Sequence, residues 1–600
     1  MENRIILALD VGSTTTKARL FSVGKSTSVL AVSDSPTTVE SPEEDVMVGV
    51  KRAVKSVQER TGRRLLDEKG QIWRGQGGVD QVAASSSAGG GLQMVVTGVW
   101  RKMTAESAQR AALGAGAVLL DVHHINDGRL SSERVRQLRT VNADMLLMTG
   151  GTEGGQISHV MKMAEFVRDA SPKPRFGSDK KLPVIYAGNS EAVPLIRDVL
   201  SEAVDLHLCA NLRPEPHVEN LQPVRERIHE IFMEHVMAHA PGYFQLISEV
   251  DGSILPTPGA FGVVMRRLYG MMESDVLGVD LGGATTDIFS IIGGELYRTV
   301  SANLGMSYSI SNVLANSTTE NIRRWLPFNI SGERLREWTL NKMIRPTTLP
   351  QTEGDLMMEH SMAREAMRLA LQHHHQLVVG LRGAKLAEKD STGSTSGQLL
   401  EKSGIEAIIG SGGVLSHAAD PRQAMGMIVD AFEPEGLTRI LVDQGFMMPH
   451  LGAIAQTDEE SALSLIQEVL MSIGWCLSPV EHHCRPGETL AELRIFDDNG
   501  FECTARIKAE ELSLLHLGER GTYNLEVLPE RKTEMGLSAQ KKQLRLWQDN
   551  EVLLLDGRNR PVHQSMRNVS GSSDVFEIYG YKRAGKKEKW LSGEAGDHGE

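Results

Sequence analysis

Two short runs carry the residue types that could hold a phosphate and a divalent cation. The first is Leu9-Asp10-Val11-Gly12-Ser13-Thr14-Thr15-Thr16-Lys17, and the second is Val279-Asp280-Leu281-Gly282-Gly283-Ala284-Thr285-Thr286-Asp287. In each, an apolar strand ends in Asp, and a turn of small residues leads into another apolar strand. Glycine lets backbone N–H groups approach an anion closely, while Ser and Thr hydroxyls add donors around it. A strand-end carboxylate suits Mg²⁺, which prefers carboxylates and retained waters. Asp10 and Asp280 are therefore the candidate metal carboxylates, and Lys17 could neutralise a phosphate as a point charge. The P-loop pattern is absent, and a strand rather than a helix follows each turn. One copy alone would equally suit an unliganded Gly-rich hairpin. Two copies, each with Asp before the turn and threonines after it, point to phosphate.

A third run, Ile408-Ile409-Gly410-Ser411-Gly412-Gly413-Val414, passes from a buried strand through a Gly-rich turn into a helix. Glycines there let a flat base and ribose lie against the backbone. Such turns are common in α/β domains, so its weight comes from following the other two. Pro449-His450-Leu451-Gly452-Ala453-Ile454-Ala455 reads as a helix start whose small residues let two helices cross closely.

The elements that must position these runs alternate. Residues 4–11 and 17–23 flank the first turn as strands, and Val46, Val50, Val54 and Val57 mark an amphipathic helix over 41–60. Strands at 81–85, 117–122, 144–148 and 183–187 alternate with helices at 104–113, 131–139, 156–167 and 191–204, as in α/β folds. A further helix covers 224–238. Strands at 276–280 and 287–292 flank the second turn, helical periodicity follows over 320–386, and 389–397 reads as a loop or a disordered insert. After Trp475 the texture becomes short alternating runs, with Asp497-Asp498-Asn499-Gly500 as a hairpin signal.

Bulk composition narrows the function classes. At about 150 residues per domain, 600 residues predict two to four domains. A net charge of −13 without a basic block argues against a protein built to grip nucleic acid or anionic lipid. No apolar window reaches the roughly 18 residues of a membrane span, and the N-terminus lacks a secretory pattern. The four cysteines form neither a disulfide framework nor a C-x-x-C pair, so a cytoplasmic location is expected. Glycine is in excess, at 59 residues, and it clusters at strand-to-turn junctions rather than in linkers.

The order of two phosphate turns, an adenosine turn and a close-crossing helix resembles the actin, Hsp70 and sugar-kinase superfamily of ATPases over roughly residues 4–456. The resemblance implies an α/β chain of duplicated ribonuclease-H-like lobes with ATP and Mg²⁺ between them. The implied division is a first lobe with an α/β insertion at 1–250 and a second lobe at 251–460. A β-rich C-terminal domain at 461–585 and a tail at 586–600 complete it. The implied nucleotide-binding residues are Gly12, Ser13, Thr14, Thr15, Thr16, Lys17, Gly282, Gly283, Ala284, Thr285, Thr286, Gly410, Ser411, Gly412 and Gly413. Asp280 is expected to orient or activate the attacking water, and Asp10 to hold Mg²⁺. Both aspartates are expected at the metal, through water. Asp287 sits either in the cleft or as a hairpin cap. The run at 150–155 is either part of the cleft or a structural turn.

A narrower likeness rests on residues 83–92, 111–117, 148–155, 186–189, 256–258 and 279–287. These resemble MutL-type accessory proteins associated with adenosylcobalamin-dependent glutamate mutase, which are unrelated to the mismatch-repair protein of the same name. The likeness implies an ATP-driven, chaperone-like reactivating factor whose partner is a cobalamin mutase subunit. A small-molecule kinase of the same superfamily is the alternative. The branch of activators that share an iron–sulfur cluster is rejected, because no cysteine pair lies near the nucleotide core.

Other clusters suggest less. His373-His374-His375 reads as a solvated helix face, because consecutive helical residues diverge. His482-His483-Cys484 lacks a second cluster for zinc. His229-Glu230 begins a zincin motif, but Met233 stands where its second histidine belongs.

Overall fold

The computed structural model describes residues 3–12, 15–39, 43–87, 92–175, 180–232, 242–301, 303–307, 309–346, 348–378, 404–537, 541–562 and 575–581. Ser13 and Thr14 of the first turn, the glycines at 89–91, the loop expected at 389–397 and the tail at 586–600 lie outside them.

One sheet is built twice. In the first copy, β1 (Arg4–Val11), β2 (Thr15–Val23) and β3 (Ser28–Pro36) form an antiparallel meander. Parallel β4 (Gln81–Ser86) lies on the far side of β1. Downstream of these comes an inserted set, β5 (Gln93–Gly98), β6 (Val118–His124), β7 (Met145–Met148), β8 (Pro183–Tyr186) and β9 (Asp205–Leu208). The chain then returns as β10 (Leu255–Pro256), giving the order β3-β2-β1-β4-β10. The second copy uses β11 (Asp275–Leu281), β12 (Thr286–Ile292), β13 (Glu295–Ser301), β14 (Ile405–Ser411) and β15 (Gly436–Asp443), ordered β13-β12-β11-β14-β15. The strand senses match as well: a meander of three, then two parallel strands. The duplicated ribonuclease-H-like plan is thus present in the topology itself.

Burial explains why these runs are strands. Seven of the eight residues of β1 and all seven of β12 are buried. Such continuous apolar runs suit central strands covered on both faces. Helix Val46–Thr61 packs its valine stripe on the first sheet, starting later than the pattern alone indicated because Asp45 caps it by accepting from the Met47 N–H. The inserted strands are all parallel, ordered β6-β5-β7-β8-β9, and interior β5 is a strand that the alternation does not reveal.

The two copies share a core. Ile6, Ala8 and Phe21 of the first sheet pack with Phe261, Met265, Ile409 and Leu451. Helix Thr257–Met272 crosses helix Met448–Ile454, and a Cβ on Gly452 would lie 1.9 Å from the Ala260 carbonyl oxygen. Only glycine permits that crossing, as the small-residue run predicted.

The eight-stranded sheet continues past β15. β16 (Leu470–Ser478) is followed by β17 (Glu481–His482), β18 (Thr489–Phe496), β19 (Glu502–Lys508) and β20 (Leu512–His516), then β21 (Thr522–Pro529), β22 (Thr533–Glu534), β23 (Lys541–Arg545) and β24 (Val552–Asp556). Of these, β16, β24 and β20 extend the sheet, whereas β19-β18-β21-β23 form a separate antiparallel one. A buried cluster at the junction joins Asp430 to Arg364 and Arg558, with Asp556 held by Arg558 and Arg560. Among the described residues no helix is long and apolar enough to cross a membrane.

The histidine run departs from expectation. His374 is fully buried on helix Glu353–Leu377, with Nε2 at 2.8 Å from Ser290 Oγ and Nδ1 at 2.8 Å from Thr299 Oγ1. This helix is covered on most sides, so one of the three diverging directions points into the core.

Candidate functional site at the paired turns

The two turns share one backbone construction. The Gly12 N–H donates to Thr15 O at 3.0 Å, and the Gly282 N–H donates to Thr285 O at 2.9 Å. An added Cβ would lie 2.7 Å from Thr15 O at Gly12 and 2.9 Å from Thr285 O at Gly282. Each turn is therefore too tight for a side chain at its glycine. The register then sets Asp10 opposite Lys17 in the first hairpin and Asp280 opposite Asp287 in the second.

That single difference separates the two aspartates. Asp10 is buried, and its Oδ2 accepts from Lys17 Nζ at 2.9 Å. Its Oδ1 accepts from Ser85 Oγ at 2.9 Å and from Thr257 Oγ1 at 2.7 Å. Burial alone would raise its pKa, but Lys17 beside it and these hydrogen bonds outweigh burial and hold it at about 2. Asp280 keeps partial exposure, and its carboxylate makes no hydrogen bond among the described residues. Surrounding protein, with Asp287 and Asp443 near, pushes its pKa up to about 7.

Asp287 is a cap and a neighbour at once. Arg298 Nη2 binds its Oδ2 at 2.6 Å, while Nη1 donates to the Leu113 and Ala117 carbonyls at 3.2 and 3.1 Å. Asp287 Oδ1 has no partner among the described residues. The second turn is thereby tied to helix Glu106–Gly114 of the insertion.

Two of the expected phosphate donors face inward, a correction to their assigned role. The Thr37 hydroxyl donates to Gly12 O at 2.8 Å, so the contact between Thr16 and Thr37 at 3.0 Å uses the Thr16 proton. The Thr286 hydroxyl is likewise bonded to Leu304 O. Both residues are fully buried, at equivalent positions of the two hairpins. Thr15 and Thr285 are half-buried, and Ala284 is exposed. The hydroxyls of Thr15 and Thr285 make no hydrogen bond among the described residues, so these two, with the Gly283 N–H, are the groups the turns leave available, whereas the Gly12 and Gly282 N–H groups are spent in closing the turns.

The third turn joins the second. Gly412 has φ +103, and an added Cβ there would lie 2.2 Å from Leu281 O at the end of β11. Gly410 packs against Ile428 and Leu415, and Ser411 Oγ donates to Asp443 Oδ2 at 3.2 Å. Those two are occupied inside the protein, which corrects their expected contact with a nucleotide. Gly413 borders open space.

Several residues here escaped the sequence reading. Asp443 ends β15 buried and accepts from the Met447 and Met448 N–H groups at 2.8 and 3.1 Å; burial raises its pKa. Its signal was available, because Val442-Asp443-Gln444-Gly445 again places Asp at a strand end before a glycine. His450 is buried with Nδ1 3.0 Å from Phe446 O, and burial pushes its pKa down to about 3. Arg19 of β2 reaches Gly445 O at 3.3 Å, and Lys17 lies 5.6 Å from the Phe446 ring centre. Both contacts fasten the first hairpin to the loop after β15.

The donor chemistry fits a nucleotide with Mg²⁺. Asp280 is a half-buried carboxylate whose pKa is raised by burial and by neighbouring Asp287 and Asp443, which a cation would relieve, and the Thr15 and Thr285 hydroxyls are left open as donors to an anion. Other metal candidates do not fit. His482 Nε2 lies 3.1 Å from Gly557 O, and its Nδ1 accepts from the Cys484 N–H, so neither nitrogen is open for zinc. His229 Nε2 lies 3.3 Å from Ser253 Oγ. Among the described residues no group of three metal-ligating side chains occurs.

Several known proteins are similar to this chain. Acetone carboxylase in its nucleotide-free form matches with TM-score 0.33 and 9% identity, over 84% of this chain and 81% of its own. Component A of (R)-2-hydroxyglutaryl-CoA dehydratase from Acidaminococcus fermentans matches with TM-score 0.26 and 9% identity, over 76% and 99%. Protein MutL of Clostridium tetanomorphum is 27% identical over 496 residues, covering 78% of this chain and 99% of that protein. The family described as MutL protein matches residues 6–470, which include both turns, the insertion and the crossing helices. By that match the chain belongs to the MutL protein family.

Proposed function

We propose that this protein is an ATP-binding, slowly hydrolysing accessory factor that remodels or reactivates an adenosylcobalamin-dependent mutase of the glutamate mutase type. One observation carries the nucleotide part. Two Asp-turn hairpins at equivalent places of duplicated sheets close through the same glycine-to-threonine hydrogen bond and oppose the aspartate with Lys17 in one and Asp287 in the other. The family membership and the resemblance support the client.

Phosphoryl transfer needs mainly positioning and charge neutralisation. Thr15, Gly283 and Thr285 would hold phosphates on turns that Gly12 and Gly282 close, and Gly412 and Gly413 would border the adenosine. Asp10 and Asp280 would hold Mg²⁺ through water, and the ion when bound would supply charge neutralisation. Asp280, carrying no competing hydrogen bond, orients the attacking water and accepts its proton. Asp10, already held by Lys17, Ser85 and Thr257, fixes the site's geometry. Thr257 opens the crossing helix and Arg298 reaches the insertion, so each turn is tied to an element that can move with it. A partner that binds one arrangement better is remodelled through the cycle.

Asp280→Asn should bind ATP with little change yet hydrolyse it far more slowly. Pull-down by the wild type should recover a cobalamin mutase subunit that alters ATP turnover. Normal turnover in the variant would remove the assignment of Asp280. Recovery of a phosphorylated metabolite and no protein client would favour the kinase.

A further inference from the structure

The inserted sheet ends in an edge whose surroundings differ from the rest of this acidic chain. Among the described residues strand β9 pairs on one side only, with β8. The Asp205 N–H donates to Leu182 O at 3.0 Å and the Cys209 N–H to Tyr186 O at 2.9 Å. Parallel pairing directs alternate residues to one neighbour, so Leu206 and Leu208 turn their N–H and C=O groups outward. All four residues of β9 are half-buried.

Helices flank this edge on both faces of the sheet. Val193–Leu200 packs through Ile196 and Leu200 with Leu146 and Val184 on one face. Gln222–Ile231 packs through Val224 and Ile228 with Leu147 and Ile185 on the other. Between them runs a groove of about 770 Å³ along β9, bordered by Lys180, Lys181, Arg197, Arg227 and His207, with Asp205 the single acid of its lining. Just outside it Glu230 pairs with Arg227 at 2.7 Å, while His207 meets Arg227 at 2.8 Å and Asp205 at 3.1 Å. Arg197 stands on one rim and Arg227 on the other. The strand itself reads Asp-Leu-His-Leu, so its basic groups stand mainly on the rims, where flanking side chains of an added strand would meet them.

We propose that β9 is a docking edge at which an extended acidic segment of a protein partner adds as a further strand. Its backbone would pair with Leu206 and Leu208, and its carboxylates would meet the two basic rims. Strand addition draws affinity from backbone hydrogen bonds and selectivity from alternating side chains. Opposite charge would also speed encounter and make the association sensitive to salt. The groove lies away from the paired turns, so this proposal stands or falls independently of ATP hydrolysis.

The test uses the full chain and a labelled Glu-Val-Glu-Val-Glu-Val peptide. Fluorescence anisotropy should show binding that weakens with added salt. Amide exchange at Leu206 and Leu208 should slow when the peptide is present. The Arg197→Glu/Arg227→Glu double variant should lose at least about tenfold in affinity while keeping its ATP turnover. A peptide N-methylated at alternate residues should fail to bind. Equal binding of the methylated peptide, or unchanged exchange at both leucines, would overturn strand addition. Displacement by inorganic triphosphate without any change in amide exchange would overturn it in favour of a small-anion site.

Discussion

The two hairpins close through the same glycine-to-threonine hydrogen bond and have opposite electrostatics. In the first, Asp10 faces Lys17 and is fixed as a carboxylate; in the second, Asp280 faces Asp287 and is held near neutrality in pKa. Duplication supplied two equivalent places for an aspartate, and the residue seven positions later decided which one is locked and which is open. A locked carboxylate gives geometry. An open one with its pKa near working pH is what proton transfer needs.

Breaking this contrast should have graded consequences. The largest effect is expected from Asp280→Asn, which should lower ATP turnover by about 10²–10⁴-fold, the range for losing a general base. Asp10→Asn should instead weaken nucleotide binding and stability, so steady-state kinetics with parallel binding measurements separates the two. Next in size is Lys17→Met, which leaves Asp10 buried without its cation. Denaturant unfolding at pH 7 should show a loss of about 3 kcal/mol, the lower end for a broken buried pair because Lys17 is partly exposed.

The pH dependence of stability sharpens the comparison further. The folded pKa of Asp280, about 7, lies above its unfolded value of about 3.9, so between them the native state binds the additional proton. Its contribution is therefore favourable at low pH and is lost as pH rises through 7. Asp280→Asn removes that dependence, and its stability relative to wild type should improve by about 3 kcal/mol between pH 5 and pH 8. Asp10 behaves oppositely: its contribution is present above the unfolded pKa and is lost as pH falls through about 2. The smallest effect separates the turn glycines. Gly12→Ala and Gly282→Ala should each cost about 1–2 kcal/mol from overpacking, with Gly12 the more sensitive because its contact is shorter. Thermal unfolding of both variants checks the ranking.

Much of this was legible in the sequence. Both turns, their strand-end aspartates, the crossing glycine and the alternating insertion follow from residue type and period. What the sequence could not show was partnership at a distance. Thr16 and Thr286 look like phosphate donors until Thr37 and the Leu304 carbonyl engage them. Ser411 looks like a ribose contact until Asp443 does the same. Arg298 sits eleven residues from Asp287 in a different strand, and only the β12–β13 register brings them together. His374 was misread because helical divergence says that three histidines point apart, not which direction is core. Strand β5 is hidden in the sequence although five of its six residues are buried, because Gln93–Gly98 follows directly on a glycine run.

The most direct test of the contrast is an infrared titration of the carboxyl band in metal-free, nucleotide-free protein, with each aspartate changed in turn. A carboxyl that protonates near pH 7 is expected in the wild type, lost in Asp280→Asn and retained in Asp10→Asn. Its persistence in Asp280→Asn, or its loss in Asp10→Asn alone, would contradict the division of roles between the two turns.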